Sequence, residues 1–170
     1  TMASTIPVTI EITAEPLDLA AEAATFQAGD PATGAVATFT GLMRDSNEGE
    51  RVVAMTLEHY PGMTEKALQR ISDEAIERWS LLGVRIVHRV GDLRPTDPIV
   101  FVAVASAHRG DAFAACEFLM DYLKTQAPFW KRETLVGGTD RWVAARDSDT
   151  QAAERWAGDD RNAARPDAAD

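Results

Sequence analysis

The chain has 170 residues, enough for one domain with a proper core, and its 45% hydrophobic and 26% charged residues are ordinary for a globular protein. A formal charge of -10 excludes a general nucleic-acid binder, because phosphate contacts need a basic surface. The single cysteine, Cys116, excludes a disulfide framework and a cysteine metal cluster; no apolar run or leader pattern marks a membrane span or signal peptide, so a cytoplasmic location is expected.

Thr1 ahead of Met2 reads as a cloning remnant. Ile6–Ile12 alternates as V-T-I-E-I and predicts a half-buried strand. Pro16–Gln27 predicts a short amphipathic helix ended by Gly29-Asp30-Pro31. Gly34–Leu42 and Val52–His59 read as strands joined by the polar loop Arg44–Glu50, and their proximity in sequence predicts a hairpin. Arg44 stands where strand gives way to loop, a common place for a functional side chain. After Pro61-Gly62, Met63–Trp79 repeats Leu68, Ile71, Ala75 and Trp79 at helical spacing and predicts a helix facing a sheet.

Val84–Val90 alternates as a strand whose His88 shares a face with Val84, Ile86 and Val90, and His88 reads as a core or interface histidine rather than a catalytic one. Arg94–Pro98 is a turn. Ile99–Ala105 is nearly all apolar, which suits a central strand covered on both faces. It runs through Ser106-Ala107-His108-Arg109 into a helix ending near Thr125, with Ala112, Cys116, Leu119, Met120 and Leu123 as its apolar stripe. His108 and Arg109 thus stand at a strand-to-helix junction, where free N–H groups and a bidentate arginine suit an anion. The same junction is equally well read as a His108 cap with Arg109 paired to Asp111. Gly137-Gly138 marks a turn, Arg141–Ala145 a short last strand, and Asp147–Trp156 a helical turn. Residues 1–156 are expected to form one domain and residues 157–170 a disordered acidic tail. Strands interleaved with about three helices predict an α+β fold, helices against a mainly antiparallel sheet.

The densest chemistry lies in Tyr122–Glu133, Y-L-K-T-Q-A-P-F-W-K-R-E. Pro128 ends the helix and forces Ala127 toward extended geometry, so Lys124 falls in a last helical turn and Lys131 on the strand beyond. That reversal can bring two ammonium groups together, each making the other easier to deprotonate. Lysines so placed serve as acid, nucleophile or anion clamp; the plainer reading is solvated charge at a helix C-terminus. Between Ser106 and Glu133 the charges balance, which suits a small anion better than a polymer.

Several long stretches together resemble the large, catalytic subunit of molybdopterin synthase. They are Gly34–Gly41 with Arg44 after it, Leu57–Leu68, Ser106–Arg109, Met120–Glu133 and Asp140–Val143, in that order. The resemblance runs from about Ile6 to Trp156. It implies an α/β hammerhead fold, a homodimer, and a small ubiquitin-like sulfur carrier as partner, giving a heterotetramer of two large and two small subunits. The carrier's C-terminal Gly-Gly would end in a thiocarboxylate. The implied reaction transfers sulfur to cyclic pyranopterin monophosphate, opens the cyclic phosphate and forms the dithiolene of molybdopterin. Carried over by position, Lys124 and Lys131 are the catalytic pair. Leu42, Met43, Arg44, His108, Arg109, Arg132 and Glu133 join them in holding substrate, and Phe39 or Phe129 lines the channel for the carrier tail. No cofactor and no metal is called for. Two other classes compete: a non-catalytic adaptor for a ubiquitin-like protein, and a metal-free hydrolase of a cyclic phosphate with His108 as acid–base.

Overall fold

The computed structural model describes residues 5–143 and 147–157. The apolar run of β7 (Pro98–Ser106) sets the plan: it is buried from Val100 to Ser106, so it needs cover on both faces and a partner on both edges. β5 (Leu81–Arg89) and β2 (Ala35–Leu42) supply those edges, both antiparallel, and β1 (Val8–Thr13) adds to β5 in parallel, giving the order β1-β5-β7-β2. One face is covered by α2 (Met63–Arg78) and α3 (Arg109–Gln126), whose Leu68, Ile71, Phe118 and Leu119 meet Val84, Ile86, Val102 and Val104 in the main core. The other is covered by α1 (Leu19–Gln27), with Leu19, Ala23 and Phe26 over Val87, Phe101 and Ala103.

A second sheet is built from β3 (Ser46–Asn47), β4 (Glu50–His59), β8 (Phe129–Leu135) and β9 (Asp140–Val143), with β6 (Gly91–Leu93) also paired to β4. It has a small core of its own: Met43, Val52, Met55, Leu57 and Leu93. The fold is α+β, with four helices among the described residues, the fourth being α4 (Asp147–Glu154) against α3. Trp156 just beyond α4 packs edge-on to Trp79 and Phe118, with ring centroids 5.5 and 5.7 Å away.

The expected hairpin between Gly34–Leu42 and Val52–His59 does not form. β2 gives its whole length to β7, from Ala35 opposite Ser106 to Leu42 opposite Pro98, with an irregularity at Gly41 and Leu42. The chain then crosses to the second sheet, held by Met43 N–H donating to the Asp97 carbonyl at 2.9 Å and Thr96 N–H to the Met43 carbonyl at 2.8 Å. The hairpin present is the shorter β3–β4, turned by Glu48 and Gly49 at φ 52° and 78°, the paired positive angles of a tight two-residue turn. Gly34 admits the close passage of the α3 approach: a Cβ there would lie 2.2 Å from the Ala107 carbonyl oxygen. Ala144 and Ala145 of the expected last strand, and the expected tail from residue 158 onward, lie outside the described residues.

Candidate active site

α3 stops at the residue before Pro128: Ala127 is extended at φ -85° and ψ 133°. The break is tied to the first turn of α2, because Thr64 Oγ1 donates to the Pro128 carbonyl at 3.0 Å and Thr64 is fully buried. β8 leaves this corner with its side chains alternating. Phe129, Lys131 and Glu133 turn to one face, while Trp130 is exposed and the Arg132 guanidinium lies 5.9 Å from the Trp142 ring centroid.

The face carrying Lys131 looks into a cavity of about 400 Å³ between the two sheets. The first sheet and α3 contribute Phe39, Leu42, His88, Val100 and Lys124; the second contributes Met55, Leu57, Phe129, Lys131 and Glu133. Met43 and Arg44, on the crossing between the sheets, complete the wall. Three cationic side chains from three separate elements thus line one concave surface. Such a lining holds anions and stabilises negative charge that develops during a reaction. Both phenylalanines proposed for the channel, Phe39 and Phe129, are in it.

Glu133 anchors the far wall. Its side chain is buried and Oε1 accepts from Asn47 Nδ2 at 3.0 Å and Arg141 Nε at 3.2 Å. Arg141 also donates to the Asn47 carbonyl at 3.1 Å and bridges Glu50 at 3.1 Å, so one arginine joins the β3–β4 turn, β8 and β9. Cys116 faces the core from α3 and does not line this cavity; burial, with Glu117 adding to it, pushes its thiol up to about 11. A thiolate nucleophile there is disfavoured.

Three of the expected site residues are not in the cavity. His108 is the N-cap of α3 and Arg109 its first residue, both exposed, whereas Lys124 is in the last turn. Fifteen residues of α-helix put Arg109 and Lys124 roughly 22 Å apart along the axis, so the two cannot touch one small substrate within a single chain. The His108 side chain makes no capping hydrogen bond, and Asp111 instead accepts from the Ser80 N–H at 3.2 Å. Arg132 misses the cavity because strand alternation turns it to the opposite face from Lys131. In the other direction, Asn47 and His88 line the cavity without having been expected there. For His88 the signal was present: a lone imidazole at the end of an otherwise aliphatic strand face marks where core gives way to cavity wall.

The model of the MoaE protein family matches residues 12–126. The chain belongs to the MoaE protein family. A molybdopterin synthase catalytic subunit from Ralstonia nicotianae is 58% identical over 148 residues, 87% of this chain and 84% of that one. The solved MoaE protein of Burkholderia ambifaria MC40-6 superposes with a TM-score of 0.76 at 56% identity, over 89% of this chain and 99% of that one. A molybdopterin-converting factor of Helicobacter pylori, solved as a complex of its subunits 1 and 2, shares the fold with a TM-score of 0.62 at 17% identity, over 82% of this chain and 90% of that one. The alternation of the family segment Met120–Glu133 across the Pro128 corner is thus what aims its two lysines into one space.

Proposed function

We propose that this chain is the catalytic subunit of a molybdopterin synthase, working in the cytoplasm as one catalytic domain. It takes sulfur from the C-terminal thiocarboxylate of a small ubiquitin-like carrier and transfers it to cyclic pyranopterin monophosphate. The observation that carries this reading is the convergence of Arg44, Lys124 and Lys131 on one cavity. Arg44 and Lys131 hold the substrate's phosphate, and Lys124 sits by the thiocarboxylate carbonyl. The carrier's sulfur attacks a substrate carbon, forming a C–S bond as the C–O bond to phosphate breaks; the cations stabilise the oxygen that leaves with the electron pair. Water then cleaves the carrier–sulfur acyl bond, returning a carboxylate on the carrier and leaving a thiol on the product. A second carrier then forms a C–S bond at the neighbouring carbon, whose oxygen leaves as water, and hydrolysis of that acyl bond frees the second thiol.

The sulfur arrives from outside, which agrees with the buried, high-pKa Cys116. His108 and Arg109, remote from the cavity of their own chain, serve the cavity of a second copy in a symmetric homodimer, with one carrier on each large subunit.

Reconstitution tests the proposal. Purified protein, thiocarboxylated carrier and cyclic pyranopterin monophosphate should yield molybdopterin, Cys116→Ser should retain activity, and a carrier lacking its last two glycines should support none. No product from the complete wild-type mixture, or delivery by the truncated carrier, would overturn it.

A further inference from the structure

The cavity is rich in donors. Arginine and lysine cannot accept a hydrogen bond; of the two lining carboxylates, Glu133 commits Oε1 to Asn47 and Arg141, and Asp149, like Glu133, is an acceptor that draws the cations. A pterin presents amino and ring N–H groups that need acceptors, and a neutral acceptor suits them without competing for the cations. His88 has that chemistry.

Its Nδ1 lies 2.8 Å from the Arg89 carbonyl oxygen. A carbonyl oxygen only accepts, so the proton is on Nδ1 and the lone pair is on Nε2. Burial, with Lys124 and His59 nearby, pushes the imidazole down to about 4, so the ring is neutral at physiological pH. Phe129 stacks on it at 3.9 Å between centroids and 18° between planes, fixing its orientation. Nε2 has no hydrogen-bond partner among the described residues, yet it is not a sealed orphan atom, and the side chain forms part of the cavity wall. A histidine that served packing alone would be expected to bury this lone pair against a donor.

We propose that His88 is a substrate-contacting residue: its Nε2 accepts a hydrogen bond from an N–H or O–H of the pterin heterocycle and orients it over the cavity floor beside Phe129. This rests on the reading of the cavity as the pterin site.

Two substitutions separate the two nitrogens. His88→Asn keeps an amide donor near the Nδ1 position and loses the acceptor at Nε2; His88→Gln can place an amide oxygen near Nε2. Titration of cyclic pyranopterin monophosphate by calorimetry should show His88→Asn weakened about tenfold, as for one lost hydrogen bond, and His88→Gln closer to wild type. Carrier affinity should be unchanged in both. An Asn variant that melts like the wild type and binds the precursor equally well overturns the proposal. Should both variants fail to fold, the wild type decides: the chain has three histidines, so the ¹⁵N resonance of His88 Nε2 can be followed. That resonance moves on adding the precursor if the contact exists, and its failure to move overturns the proposal. Wild-type protein that neither binds precursor nor transfers sulfur defeats the functional reading itself; wild-type protein that does both while His88 stays silent defeats only this inference.

Discussion

Lys124 and His88 face the same cavity but are read by different measurements. Lys124 is exposed at the end of α3 and supports little core, so Lys124→Ala should melt like the wild type while product formation falls about 10²–10⁴-fold, the range for a positioned acid–base group. Near-normal turnover would remove Lys124 from the chemistry. His88 shows itself in acid. Its value in the fold is about 4 against an ordinary 6.5, so between those values the unfolded chain holds a proton that the folded chain does not. The stabilisation is complete above about pH 6.5 and is lost as the pH falls toward 4, amounting to roughly 3 kcal/mol. Lys124 from α3 and His59 from β4 are the charged or titratable neighbours that hold the ring neutral along with burial. Denaturant melts at several pH values should therefore show a steeper acid loss for the wild type than for His88→Gln, which has no proton to gain; parallel profiles would show that His88 is not the group responsible.

Among the elements, α4 depends on a single large anchor. Trp156 is buried beside Trp79 and Phe118, its Nε1 donates to Asp121 at 2.7 Å, and its carbonyl accepts from Arg78 at 2.8 Å. Trp156→Ala should cost about 3–5 kcal/mol, the range for removing a buried aromatic, and thermal melting will read it; a loss under about 1 kcal/mol would mean that α4 is not docked through this ring. Strand and helix positions were legible in the sequence wherever a local rule applied. Pro128 fixed the end of α3, and the apolar run of β7 fixed its central place. Strand partners were not legible, because alternation reports which face a residue takes and not which strand lies beside it; β2 therefore went to β7 rather than to its neighbour β4. The candidate site divides the same way. Lys124, Lys131 and Glu133 converge because the Pro128 corner and the β8 period place them, and Arg44 joins them from the crossing after β2. Arg132 falls on the other face of β8 by that same period, and the length of α3 keeps His108 and Arg109 away from the cavity of their own chain.

For the whole molecule, the separation along α3 makes a prediction about assembly. Light scattering of the isolated chain at micromolar concentration should give the mass of a dimer. If the second copy supplies Arg109, then Lys124→Ala and Arg109→Ala variants, each inactive alone, should regain activity when mixed and allowed to exchange subunits. One site in each mixed dimer then has both side chains intact. Absence of recovery in verified mixed dimers would show that Arg109 does not serve the cavity of the second copy. The cavity itself has walls from two separately cored sheets, joined where the chain crosses at Met43. Met43 and Met55 belong both to the minor core and to the cavity wall, so the packing of that core with Leu93 helps set the width of the cavity. Methionine is unbranched and deformable, so exchanges at these positions alter the gap between the sheets while leaving every charged group in place. Variation in what the cavity admits is then to be sought in that soft seam, away from the lysines.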